Sequence, residues 1–212
     1  MSQHTIVSPD ALRPLPRLTA VRRQATRVTR LPWPIALQAG VLLALFVTFL
    51  TAVQFATPDL AGNDGYYHIK MADLMRTRGL TPVFNWLPLT VLNAEEFVDH
   101  HFLYHVLLVP FTLGDLRVGA KVASVTFPAL TFLAVWWLLR GQKAPYAGLW
   151  SLGLLVVSEA FIYRMSMPRA QSLSLLVLVL ALHWLLTGQH RRLTALGFVY
   201  VWLYNAFPKG LS

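Results

Sequence analysis

Cysteine is absent from the 212-residue chain, so disulfides, thiolate metal sites and cysteine nucleophiles are excluded. Charge is scarce as well. Charged residues make up 13% against 56% hydrophobic, and the mean hydropathy is +0.52, far too apolar for an ordinary soluble domain of this size. Acidic groups are the scarcest: nine Asp and Glu face 18 Lys and Arg, a formal net charge of +9. A basic balance can signal nucleic acid, but these arginines flank apolar segments and do not form one face of a soluble fold, so nucleic acid is not expected as a partner. There is also no fixed-period repeat and no low-complexity tract.

What is present is a series of long apolar runs, which predicts an all-α, polytopic helical membrane protein with about five spans in a lipid bilayer. Residues 1 to 34 carry Arg13, Arg17, Arg22, Arg23, Arg27 and Arg30 against the single acid Asp10, with five prolines and little apolar periodicity. They read as a disordered basic arm, with a targeting peptide as the rival reading. The run that follows, residues 35 to 56, is long enough to cross a bilayer, whereas a signal-peptide core is shorter. It is read as a retained first span with the arginine arm on the cytoplasmic side of a plasma (inner) membrane.

That orientation puts residues 57 to 116 on the extracytoplasmic face. Within this loop Tyr66, Ile69, Met71, Ala72, Leu74 and Met75 recur at three and four spacing, which suits a short interfacial amphipathic helix starting at Tyr66 and ended by Gly79. The apolar stretch Phe102 to Leu113 is short for a span and holds Pro110. If it crossed, Arg140 with Lys143 and later His190-Arg191-Arg192 would both lie outside, against the positive-inside bias. Kept on the outer surface, it leaves further spans at about 118–139, 146–163, 172–186 and 193–207, with a tight outer turn from Tyr163 to Arg169. The chain stops abruptly after Pro208-Lys209-Gly210-Leu211-Ser212, which reads as the end of a fragment.

Three groups of residues are candidates for chemistry. Asp64 and His68 lie four apart and share a face if the segment is helical. Asp64 there fits a general base, a metal ligand or a simple helix cap. His101 and His105 have the spacing of two imidazoles that bind one metal from a helix, and Asp99 offers an oxygen ligand. Interfacial histidines bonded to loop backbone or lipid headgroups are the plainer alternative. Arg164 and Arg169 fit either snorkelling to lipid phosphates or a clamp on a phosphate substrate, with Glu159 as a counter-ion.

In its order of features the chain resembles the amino-terminal module of the GT-C membrane glycosyltransferases, which include protein mannosyltransferases, aminoarabinose transferases and oligosaccharyltransferase catalytic subunits. The resemblance covers roughly residues 30 to 208 and rests on short motifs. Asn63-Asp64-Gly65-Tyr66-Tyr67-His68, Met71-Ala72-Asp73-Leu74-Met75 and Gly79-Leu80 are similar to the family's acidic residue, tyrosine pair, interfacial helix and glycine. His100-His101-Phe102-Leu103-Tyr104 stands where mannosyltransferase-like members have Pro-Pro-Leu-Tyr, Leu116-Arg117-Val118-Gly119-Ala120-Lys121 where they have an Ala-Arg-Leu entry to the second span, and Arg164-Met165-Ser166-Met167-Pro168 at their Arg- and Asp-containing outer turn. The two histidines for prolines and Ser166 for the usual Asp are departures.

The resemblance implies a glycosyltransferase, or its amino-terminal fragment, moving a sugar from a polyprenyl-phosphate-linked donor to an acceptor at the extracytoplasmic face. Asp64 would be the catalytic base or a ligand of a divalent metal cation, with His68, Asp99, His101 and His105 as further ligands. Arg164, Arg169, Tyr66, Tyr67 and Lys70 would bind the donor. The missing spans would come from a partner subunit or a longer chain. A non-catalytic membrane assembly or lipid-binding protein is the alternative.

Overall fold

The computed structural model describes residues 33–83, 85 and 97–204. The expected basic arm therefore lies outside the described residues except for Trp33 and Pro34, as do Pro88, Glu95, Glu96 and the final residues from Asn205. All described residues fall in one compact unit, Pro32–Ser212, and among them every regular element is helical.

Helix α1 (Ile35–Gln54) starts after Pro34, whose fixed φ suits a helix start, and runs through an almost wholly apolar sequence. Helix α2 (Asp64–Arg78) buries Gly65, His68, Ile69, Ala72 and Met75 along one stripe. Its other face carries Tyr66, Tyr67 and Lys70. Gly79 ends it at φ 100°, a backbone state that a side chain would resist, while its N–H bonds back to Met75 O. Helix α3 (Phe102–Leu108) passes into a 3-10 turn, Val109–Thr112, at Pro110. Helix α4 (Leu116–Gly141) is capped by Asp115, whose Oδ1 accepts from Val118 N at 2.9 Å. Then follow α5 (Ala147–Gly153), a 3-10 turn Leu154–Val156, α6 (Glu159–Ser166), α7 (Gln171–Leu186) and α8 (His190–Tyr204).

Contacts at the helix ends set the direction of each pass. Lys121, near the start of α4, donates to Gln54 O at 2.8 Å at the end of α1, while Arg140 at the far end of α4 meets Gln38 Oε1 at 3.3 Å near the start of α1. The two helices are antiparallel, so the segment from Thr57 to Leu113 leaves and returns at one end of the bundle. Helix α7 runs parallel to α4: Thr131 Oγ1 donates to Ser172 O at 2.8 Å, and further along the Trp137 and His183 rings meet at a tilt with centroids 4.0 Å apart. Helix α8 then comes back, with Arg192 over Trp184 at one end and Leu203 in the same cluster as Leu60, Tyr104 and Leu173 at the other. A second cluster, around Phe46, Leu50, Phe132 and Trp136, joins α1 to α4.

Two helices, α1 and α4, are long and apolar enough to cross a membrane. The expected third span, 146–163, is instead broken: α5 with its 3-10 turn and α6 meet at 89°. The run holds no proline, but α5 ends at Gly153, and Ser158 takes an extended conformation whose Oγ accepts from Phe161 N at 3.1 Å, starting a new helix with Glu159 in its first turn. The tight turn expected from Tyr163 is accordingly shorter, because α6 continues through Ser166. Helix α8 begins at His190, three residues before the expected run, and α2 begins at Asp64, not Tyr66.

Candidate functional site

The end of the bundle where α1 stops gathers most of the residues singled out in the sequence. Asp64 sits inside the first turn of α2, and the residue in the capping position, Asn63, makes no side-chain cap bond. Asp64 is therefore no cap. Its Oδ2 is ion-paired with Arg169 Nη2, the carboxylate side chain 54% and the arginine 32% exposed. The backbones bring them together: a Cβ on Gly65 would lie 2.1 Å from Pro168 Cγ, so only glycine lets α2 settle against the turn that carries Arg169. Arg164 is exposed on α6 and pairs with no carboxylate among the described residues, and Glu159 likewise has no basic partner there.

One turn along α2 from Asp64, His68 is buried and hydrogen-bonded through Nδ1 to His105 Nε2 at 2.8 Å. His105, fully buried on α3, is bonded through Nδ1 to Asp99 Oδ2 at 2.7 Å. An ionised carboxylate only accepts, so His105 Nδ1 carries the proton. In the tautomer of His105 with its proton on Nδ1, Nε2 accepts from His68 Nδ1–H, and the lone pair of His68 is then on Nε2. Tyr67, Tyr104 and His101 wall the chain, with ring centroids 5.2 Å from that of His68. Burial, with smaller contributions from the adjacent His105 and His101 rings and the Arg169 guanidinium, lowers the His68 pKa from 6.5 to about 3. Burial lowers His101 too, and burial raises the phenols of Tyr67 and Tyr104.

These shifts carry a stability consequence. Above pH 6.5 His68 is neutral whether the chain is folded or not, so its contribution is constant. Between 6.5 and about 3 only the unfolded chain takes up the proton, and the fold loses up to about 1.4 kcal/mol per pH unit. The melting temperature of the detergent-solubilised protein should therefore fall steadily on acidification from pH 7 to 4. His68→Gln, which keeps a donor for His105, should flatten that slope; an equally steep slope in the variant would assign the sensitivity to other groups.

Not every expected residue joins the site. Lys70 is tied to Asp73 at 2.8 Å, which also binds Arg76 at 2.8 Å, on the exposed face of α2. The hydrogen bond to Lys70 holds the Asp73 carboxyl below its usual pKa. Tyr66 lies beside the loop before α2, its OH within 3.4 Å of Leu60 N. The expected metal ligands do come close, but His68, His105 and Asp99 bond to one another, Asp64 holds a guanidinium, and His101 Nδ1 is buried without a partner. Among the described residues no three His, Asp or Glu side chains are placed to hold an ion. The donor set as arranged does not fit a divalent cation.

Two features escaped the sequence reading. The residues expected to share a metal, His68 of one group and His105 of the other, are instead joined by a direct hydrogen bond that no spacing within either group predicts. Lys121 went unnoticed as a structural residue; a lone lysine near the start of an apolar run was the available signal. Comparison with protein-family models, curated proteins and solved structures finds no match for this chain.

Proposed function

We propose that the chain is the amino-terminal module of a GT-C-like membrane glycosyltransferase, moving a sugar from a polyprenyl-phosphate donor to an acceptor hydroxyl at the extracytoplasmic face. The five passes α1, α4, α5–α6, α7 and α8 form its membrane part, and spans beyond this chain or a partner subunit complete it. The observation that carries the reading is the half-exposed Asp64–Arg169 pair at the end of the bundle, drawn from two distant segments and backed by the buried Asp99–His105–His68 chain.

The chemistry follows from the pair. A donor phosphate competes with the Asp64 carboxylate for the planar fork of Arg169, with Arg164 and Tyr67 proposed as further contacts. Released from Arg169, Asp64 accepts the acceptor's hydroxyl proton as its oxygen bonds to the anomeric carbon. The bond from that carbon to the phosphate oxygen breaks, and polyprenyl phosphate leaves with the electron pair, its charge met by Arg169. The histidine chain fixes α2 and α3 relative to each other and so holds Asp64 in place.

Asp64→Asn should lower transfer more than 100-fold, on the order of the loss of a general base, while polyprenyl phosphate still binds the purified protein. Arg169→Ala should weaken that binding about tenfold, the loss of one charge-assisted contact. The measurements are turnover of the lipid-linked sugar pool in membranes carrying the full chain, and native mass spectrometry with polyprenyl phosphate. Unchanged turnover in Asp64→Asn would remove Asp64 from the mechanism, and no retention of polyprenyl phosphate by the unmodified protein would favour the assembly-protein alternative.

A further inference from the structure

The break between α5 and α6 opens a cavity of about 640 Å³ against the end of α1, separate from the Asp64–Arg169 pair. One wall is apolar: Phe49 and Val53 of α1, Leu155 and Val156 of the 3-10 turn, and Ile162 of α6. The rest of the lining is more polar and includes two carboxylate residues, Asp59 and Glu159, together with Tyr163. No Lys, Arg or His lines it. Neither carboxylate has a basic partner among the described residues.

A second observation points to a ligand. Ser166, which also lines the cavity, is 3% exposed, and its buried Oγ has no hydrogen-bond partner. A buried hydroxyl left unbonded is costly, so it marks a position where an incoming group completes the bond. The one amide donor in the lining, Gln54 Nε2, is already spent on Ser166 O. The cavity thus offers chiefly acceptors and negative charge at its polar wall, and hydrocarbon contact at the other.

We propose that this cavity is a binding site for a single amphiphile whose headgroup carries a primary ammonium, such as an aminophospholipid, with its chain along the apolar wall. The ammonium supplies three N–H donors for the carboxylates, and its charge is the complement of theirs. A headgroup that is only anionic meets two carboxylates without a basic partner, while the nearby Lys121 ammonium lies outside the lining and is spent on the Gln54 and Thr57 carbonyls, which disfavours it. This site does not depend on the glycosyl-transfer reading, since it shares no residue with the Asp64–Arg169 pair.

The test uses the full chain, delipidated in a mild detergent and titrated with phosphatidylethanolamine or phosphatidylglycerol of the same acyl chains, bound lipid being read by native mass spectrometry. Phosphatidylethanolamine should bind at least tenfold tighter, and D59N combined with E159Q should abolish the difference without altering the helical circular dichroism spectrum. E159Q alone should reduce the preference part-way, which guards against a folding defect in the double variant. Equal retention of the two lipids, tighter binding of phosphatidylglycerol, or a preference unchanged in the double variant would overturn the proposal. Neither Asp59 nor Glu159 belongs to the transfer site, so activity lost in Asp64→Asn and lipid preference lost here fail independently.

Discussion

Gly119→Ala should destabilise the protein by about 3 kcal/mol, the upper range for an overpacked site. The Cβ it adds would sit 1.8 Å from Phe111 O and 3.0 Å from the carbon of the same carbonyl. Both are backbone, so no side chain can swing aside, and either α4 or the 3-10 turn before it must move. Alanine in place of helical glycine ordinarily gains up to about 1 kcal/mol, which the collision outweighs. Gly197→Ala in α8 is the internal control, because its Cβ meets nothing within 4 Å. Thermal unfolding in detergent should show Gly119→Ala well below the parent and Gly197→Ala at or above it. If the two variants melted together, the close seating of the turn on α4 would be wrong.

Lys121→Met should cost a comparable amount for a different reason. The Lys121 Nζ is buried, donates to Gln54 O at 2.8 Å and to Thr57 O, and lies 5.3 Å from the Phe55 ring centroid. It thereby meets carbonyls at and just beyond the end of α1, where the helix dipole is negative. Methionine preserves the length of the side chain and its apolar stem but leaves those carbonyls without a charged donor. At about 1.5–3 kcal/mol for each hydrogen bond to a charged group, with water partly compensating, the net loss is about 3 kcal/mol. Because the chain has no cysteine, a single Thr57→Cys probe reports locally. Maleimide labelling there should accelerate in Lys121→Met; equal labelling rates with an equal melting temperature would refute the anchoring role.

The long elements were legible because their signals are local. An apolar run after Pro34 marked α1, the run from Val118 marked α4, and Gly79 ended α2. The positive-inside argument also brought Asp64 and Arg169 to one end of the bundle, where they pair. The break at Ser158 was not legible, since a largely apolar run has no period from which to tell a straight span from a bent one; Gly153 and the serine followed by Glu159 were the available signals. The His68–His105 bond spans 37 positions of sequence and depends on how α2 packs against α3. No spacing rule within one helix finds such a contact, and the same holds for Lys121 reaching back 67 residues to Gln54.

The unequal lengths of the passes bear on the surrounding lipid. At 26 residues α4 is about 39 Å long, whereas α7 and α8, with 16 and 15 residues, reach only about 24 and 22 Å at 1.5 Å per residue. A hydrocarbon core of roughly 30 Å cannot match both at once. On the five-pass reading, the long helix tilts or extends past the interface while the lipid beside α7 and α8 thins to meet them. Hydrophobic mismatch of this kind sorts proteins among membranes of different thickness. The thinned flank would also bring the headgroup layer closer to the ends of α7 and α8.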